Sequence, residues 1–232
     1  MMKAALITGG TKGIGRALVS RFLDAGFRVF TCGSSFGSVE KLLAEISSPH
    51  LEAAVVDMAE KQEIKNWISN VLTEEPVIDV LINNAGRFIP GSVGEEEDGA
   101  FESMIATNLA SAYHTTRALL PGMKARKKGH IFNICSTASI MAYTNGGSYC
   151  ISKFGLLGMS KVLREELKES NIKVTAVLPG ATLTDSWAGS HLPETRFMKP
   201  EDVADIIWAT YSLSPSAVVE EILLRPVLGD IV

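Results

Sequence analysis

The chain has 232 residues, 22 Lys+Arg against 26 Asp+Glu for a formal charge of −4, and is 46% hydrophobic. That size and apolar content suit a single domain spanning 1–232 that needs no disulfide or metal staple. Mild acidity speaks against nonspecific nucleic-acid binding, which needs a basic face to replace phosphate counterions; the short run Lys124–Lys128 reads as a solvated helix end.

The opening MMKAALITGG carries one positive charge and a short apolar run stopped by glycine. It is too brief for a signal peptide and reads as a first strand. Further strand-length runs follow at Arg28–Cys32, Leu51–Val56, Val80–Ile82, His130–Cys135, Lys173–Leu178 and Glu221–Leu224, after the first at Ala4–Ile7. They lack polar alternation, as strands covered by helices on both faces should. Between them, Ile14, Ala17, Leu18 and Phe22 recur at 0, +3, +4 and +8, and Val203, Ile206, Ile207 and Tyr211 repeat that spacing. Both segments are amphipathic helices. Pro200, Glu201 and Asp202 suit a helix first turn, where proline loses no needed hydrogen bond and acids meet the positive dipole end. The alternation predicts an α/β fold, a three-layer, doubly wound parallel sheet of about seven strands.

No apolar stretch reaches the ~18 residues of a membrane span. Cys32, Cys135 and Cys150 are odd in number and show no C-x-x-C spacing, which points to a reducing compartment and a cytoplasmic protein without a metal site. His50, His114 and His130 lack metal-ligand spacing and read as surface or packing residues.

The first strand runs into Thr8-Gly9-Gly10-Thr11-Lys12-Gly13-Ile14-Gly15 and then directly into a helix. Glycines there permit a tight turn and let backbone N–H groups approach a pyrophosphate at the partly positive helix end. The spacing is neither G-x-G-x-x-G nor a Walker loop, and a plain strand-to-helix turn without a ligand is the alternative.

TGGTKGIG resembles the T-G-x-x-x-G-x-G fingerprint of the short-chain dehydrogenase/reductase family, and other segments match in the family's order, from residue 6 to about 205. Asp57, followed by Met58, falls where the family places an acid near adenine. Asn83-Asn84-Ala85-Gly86 is similar to its N-N-A-G, and Asn108 to its helix asparagine. Ser136, Tyr149 and Lys153 match its active-site residues, and Pro179-Gly180 with Thr182 and Thr184 its nicotinamide-side segment. The resemblance implies a Rossmann-like fold with Gly9, Thr11, Lys12, Gly13, Ile14 and Gly15 around the cofactor phosphates. It also implies Asn84, Ala85 and Gly86 beside the dinucleotide.

Family members that use NAD carry an acid at the end of the second strand, where it bonds the ribose hydroxyls and repels a 2′-phosphate. Here Gly33 stands at that position, followed by Ser34 and Ser35. Lys12 with these hydroxyls resembles the pattern of NADP-preferring relatives, so NADP(H) is the expected cofactor, with NAD(H) possible. A solvated loop lysine is the bland alternative.

Tyr149 and Lys153 lie four residues apart where Leu156, Ser160, Leu163 and Leu167 continue a helical stripe, placing phenol and ammonium on one face. A phenol titrating near 10 needs about 4 kcal/mol to reach roughly 7, the order a lysine charge ~4 Å away supplies at an effective dielectric of ~20. Ser136 ends a strand thirteen residues before Tyr149. By resemblance it holds the substrate oxygen, Lys153 also grips the nicotinamide ribose, and Asn108 holds a water linking the lysine to solvent. The implied activity is reduction of a ketone or aldehyde, or oxidation of a secondary alcohol. Each residue alone has an ordinary structural explanation, and a nucleotide-binding relative without catalysis is an alternative. A second rival is a serine hydrolase. Gly33-Ser34-Ser35-Phe36-Gly37 satisfies G-x-S-x-G, with Asp185 and His191 following in hydrolase order.

By the same resemblance, Asp185, Ser186, Trp187, Ala188, Gly189 and the stretch from His191 to Phe197 form a mobile substrate loop. Trp187 and Phe197 are candidates to cover an apolar substrate or to pack as core. The tail Arg225–Val232 departs from the family's usual glycine pair. Dimers or tetramers are implied, with helices around Ser103–Met123 and Tyr149–Lys168 pairing across the interface.

Overall fold

The computed structural model describes residues 2–187 and 189–231; Met1, Ala188 of the expected substrate loop and Val232 of the tail lie outside the described residues. The elements, in chain order, are β1 (Ala4–Ile7), α1 (Gly13–Asp24), β2 (Arg28–Gly33), α2 (Phe36–Glu45), β3 (Leu51–Val55), α3 (Lys61–Glu74) and β4 (Val80–Asn83). The chain continues as α4 (Ala100–Ile105), a π-helical turn (Ala106–Ala110), α5 (Ser111–Arg126), β5 (Gly129–Ile134), α6 (Gly147–Leu167), β6 (Ile172–Pro179), α7 (Pro200–Tyr211) and β7 (Glu221–Leu224).

The seven strands form one parallel sheet in the order β3-β2-β1-β4-β5-β6-β7. Each face has its own core, which explains why the strands lack polar alternation. Ala4 and Leu6 of β1 join Trp67, Ile68, Leu119, Met123 and Leu163, beneath α3, α5 and α6. Ala5 and Ile7 point the other way, onto Leu18, Phe22, Leu42, Val203 and Ile207 of α1, α2 and α7. The two helices with matching apolar period meet here: the Phe22 ring packs edge-on against Trp208 at 5.5 Å. Pro200 opens α7, and the Lys199 N–H donates to the Asp202 carboxylate at 2.9 Å, so the expected first turn forms. Fold class and strand number agree with the sequence expectation. No helix among the described residues is long and apolar enough to cross a membrane.

The helix expected over Ser103–Met123 forms, running from α4 through the π turn into α5 without a break. The π turn inserts one extra residue per turn, which an apolar period read over short stretches does not register. Asn108 sits inside it and is buried.

Candidate active site

The strand order reverses between β1 and β4, and the carboxyl ends of these two strands open a crevice at that switch point. They are laced together by Asn84, just past β4. Thr8 Oγ1 accepts from the Asn84 and Ala85 N–H groups at 3.0 and 2.9 Å, while Asn84 Nδ2 donates to the Thr8 and Gly9 carbonyls at 3.0 and 2.9 Å. Gly9 and Gly13 have positive φ of 68° and 52°. A Cβ on Gly15 would lie 2.1 Å from the Gly9 carbonyl oxygen, so only glycine lets α1 start this close to the turn. Gly10 has a role the motif did not reveal: a Cβ there would lie 2.1 Å from Thr31 Oγ1, in a turn held by Gly10 N–H to the Cys32 carbonyl at 3.1 Å.

Lys12 precedes α1 in extended conformation, and no side chain caps the helix. The first N–H groups of α1 therefore remain free for an anion, and the glycine cradle fits a dinucleotide pyrophosphate. At the end of β2, a Cβ on Gly33 would come within 2.5 Å of Thr11 Cγ2, so this position has no room for an acid. Ser34 and Ser35 are exposed beyond it. Asp57 is exposed after β3 and accepts the Ala59 N–H at 2.8 Å, and Met58 is buried beside it. On the far side, Gly180 N–H donates to the Leu224 carbonyl at 2.8 Å and Thr182 Oγ1 to the Gly180 carbonyl at 3.0 Å. Thr184 lies against Gly13 across the cleft, its Cγ2 3.0 Å from where a Cβ on Gly13 would stand.

Ser136, Tyr149 and Lys153 converge at the carboxyl end of β5. Ser136 starts a short 3₁₀ turn, its Oγ accepting the Ala138 N–H at 3.1 Å. Tyr149 and Lys153 stand in the first two turns of α6, with Lys153 Nζ 5.8 Å from the phenol ring centroid. Lys153 is buried and its Nζ donates to the Ile134 carbonyl at 2.8 Å. The expected lowering of the Tyr149 phenol is not found: burial pushes it above its ordinary value, against a hydrogen bond with Ser136 that pulls it down. Lys153 Nζ is turned to a backbone carbonyl. Burial instead pushes Lys153 down to about 8, partly opposed by Cys135.

Asn108 is held at both ends of its amide. Its Oδ1 accepts the Arg87 N–H at 2.7 Å, and its Nδ2 donates to the Arg87 carbonyl and Ser152 Oγ, both at 2.9 Å. It braces the segment after Gly86, whose Cα lies close to Lys153: a Cβ on Gly86 would be 3.6 Å from Nζ.

Two residues near the site escaped sequence reasoning. Phe88 packs edge-on against the Tyr149 ring at 4.9 Å. Glu96 accepts the Ser148 N–H at 2.7 Å and also the Ser148 hydroxyl, supplying the start of α6 with the cap that Gly146 lacks. Its signal is only a carboxylate in an acidic loop, whose partner lies 52 residues away.

The hydrolase arrangement does not form. Ser35 caps α2, its Oγ bonded with Ser38 Oγ at 3.1 Å, and Asp185 pairs with Lys12 at 2.8 Å. Trp187 leans on buried Phe197 at 5.1 Å, so the second of these aromatics is core. His130 is buried and stacked on Phe132 at 3.9 Å, a packing residue as expected.

A glycine turn at the switch point of a doubly wound sheet defines a protein of the dinucleotide-binding α/β class. The family model described as short chain dehydrogenase matches residues 3–194, and the chain belongs to that oxidoreductase family. A sepiapterin reductase of Chlorobaculum tepidum is 31% identical, covering 100% of this chain and 99% of that one. An NADP-dependent 3-hydroxy acid dehydrogenase of Salmonella typhi is 30% identical over 96% and 94% of the two chains. Among solved structures, a closed form of serine dehydrogenase complexed with NADP+ superposes with a TM-score of 0.90 at 27% identity, covering 98% of this chain and 96% of its own.

Proposed function

We propose that residues 1–232 act as one dinucleotide-binding and catalytic unit, an NADP(H)-dependent reductase of ketones or aldehydes that runs in reverse on secondary alcohols. The observation that carries this reading is the convergence of Ser136, Tyr149 and Lys153 beside the glycine crevice, with Lys153 Nζ 5.8 Å from the Tyr149 ring. NADP-bound relatives of the same fold support the nicotinamide assignment. For NADP(H) in particular, support comes from Lys12 on the glycine turn and from Gly33, whose surroundings leave no space for an acid.

In this reading Gly9, Thr11, Lys12, Gly13, Ile14 and Gly15 hold the phosphates, and Ser34 and Ser35 the adenosine ribose end. Asp57 and Met58 flank adenine. Asn84, Ala85 and Gly86 line the dinucleotide, and Pro179, Gly180, Thr182 and Thr184 meet the carboxamide side. The bound cofactor supplies the hydride.

The chain's own residues move the proton. Burial keeps the Tyr149 phenol protonated at neutral pH, which is the state that donates to a carbonyl oxygen. Ser136 holds that oxygen by its hydroxyl. As the proton leaves, the charge of the Lys153 ammonium, its Nζ 5.8 Å from the ring centroid, steadies the phenolate. Asn108 contributes by bracing Arg87 and Ser152, and any water it holds meets its backbone or the spare lone pair of Oδ1.

A panel of ketones, quinones, diketones and 3-oxoacyl thioesters, read by loss of NADPH absorbance and repeated with NADH, identifies substrate and cofactor. Tyr149→Phe abolishes turnover and leaves NADPH binding intact; an active Tyr149→Phe, or a clear NADH preference, overturns the corresponding part. A relative that binds nucleotide without catalysis would turn over nothing in the panel.

We place the protein in the cytoplasm, as three buried unpaired cysteines suit a reducing compartment. We also propose a homodimer or homotetramer pairing through α5 and α6, where Tyr113, Ile151, Phe154 and Val162 are exposed.

A further inference from the structure

The segment after β6 returns across the mouth of the crevice and touches the glycine turn twice. Thr184 lies against Gly13, and one residue later Asp185 Oδ2 pairs with Lys12 Nζ at 2.8 Å, with both side chains 71% exposed. The Asp185 carboxyl is held below its ordinary value, first by that hydrogen bond and the charge of Lys12, and also by Lys41 on α2. α2 begins directly after Ser34 and Ser35, so Asp185 stands where the cations of the glycine turn and of α2 both reach it. These are the groups that a phosphate on the adenosine ribose would meet.

We propose that Asp185 is an internal stand-in for the 2′-phosphate of the cofactor: it occupies Lys12, straps residues 184–187 over the glycine turn, and gives way when a phosphorylated dinucleotide takes the lysine. This inference rests on the NADP(H) reading above. It makes Asp185 a specificity-determining residue that works against its own cofactor's phosphate, because NADP(H) must displace an anion that NAD(H) can leave in place. It also couples phosphate binding to the substrate loop, since Trp187 lies two residues beyond Asp185 and packs on Phe197. Exposed ion pairs are weak, so the penalty on the phosphorylated ligand is about two- to fivefold in affinity.

The test uses the whole protein and two probes, 2′,5′-ADP and 5′-AMP, whose affinity ratio isolates the 2′-phosphate. Titrations follow tryptophan emission, with Trp187→Phe identifying the loop's share of the signal against buried Trp67 and helix-packed Trp208. In the wild type, 2′,5′-ADP binds more tightly than 5′-AMP and alone shifts the Trp187 emission. In Asp185→Asn the ratio rises about two- to fivefold, and the emission of the free protein already matches the ligand-bound wild type. A wild-type preference for 2′,5′-ADP that Asp185→Asn leaves unchanged overturns the inference and spares the cofactor reading. Equal binding of the two probes in both proteins overturns both.

Discussion

In the proposed mechanism Lys153 is the group whose protonation governs turnover near neutrality, because burial pushes its ammonium down to about 8. The direction follows from desolvation: a cation taken from water and bonded only to the Ile134 carbonyl at 2.8 Å lacks a paired anion. With a titration near 8, about nine-tenths of the lysine is charged at pH 7 and about one-tenth at pH 9. Tyr149, pushed upward, stays protonated over the same range and adds no limb of its own. In that mechanism reduction needs the charged lysine beside the departing proton, so the expected kcat/KM for NADPH, which reports the free enzyme, falls about tenfold between pH 7 and 9. Initial rates across that interval at a fixed carbonyl concentration measure it. In Lys153→Arg, whose guanidinium stays charged, the amplitude drops but the falling limb disappears. A wild-type profile flat to pH 9, or a limb that persists in Lys153→Arg, refutes the reasoning.

Two further predictions concern stability. His130 Nε2 lies 2.8 Å from Thr175 Oγ1, which already donates to the Val219 carbonyl at 2.6 Å, so the ring is the donor to Thr175. Burial, with Lys173 nearby, depresses it to about 3 from 6.5, so the unfolded chain binds the proton first and stability is lost as pH falls below about 6.5. At pH 5 the loss is about 2 kcal/mol, from 1.5 units at ~1.36 kcal/mol each. Urea unfolding at pH 7 and 5 shows it, and His130→Gln removes most of this difference. Glu96→Ala leaves the Ser148 N–H and hydroxyl without their carboxylate and unties the 87–99 segment from α6. The cost is about 1–3 kcal/mol, seen as a Tm several degrees lower, and turnover falls with it; an unchanged Tm contradicts the capping role.

The sheet is legible in the sequence because burial on both faces erases polar alternation, so Ala4–Ile7 and its six counterparts stand out as largely apolar runs between amphipathic helices. The glycine turn is legible for a steric reason: Gly9, Gly13 and Gly15 mark backbone that no side chain fits. What stays hidden depends on distance through the chain. The π turn around Asn108 is stabilised by Arg87 and Ser152, 21 and 44 residues away. Glu96 finds its partner only once α6 is docked. The direction of the Tyr149 shift depends on burial and on where Lys153 points, neither of which the four-residue spacing contains.

These hidden contacts share a chemistry. Asn84, Asn108 and Glu96 all turn their side chains onto backbone N–H or C=O groups of neighbouring segments. Each one fixes the end of a strand or helix relative to another, and none is left free toward the crevice as a proton carrier. Tyr149 and Lys153 are titratable groups that the framework positions without a charged partner, and burial moves each toward its neutral form, the phenol upward and the ammonium downward. In the proposed function, selectivity for the carbonyl compound has to come from less constrained parts. Phe88 against the phenol and the 184–197 segment, held at one end by Lys12 and at the other by Arg196 bonding the Gly229 and Asp230 carbonyls at 2.9 Å, are the surfaces left to provide it. The tail that departs from the family pattern thus anchors the rear of this segment through its Gly229 and Asp230 carbonyls.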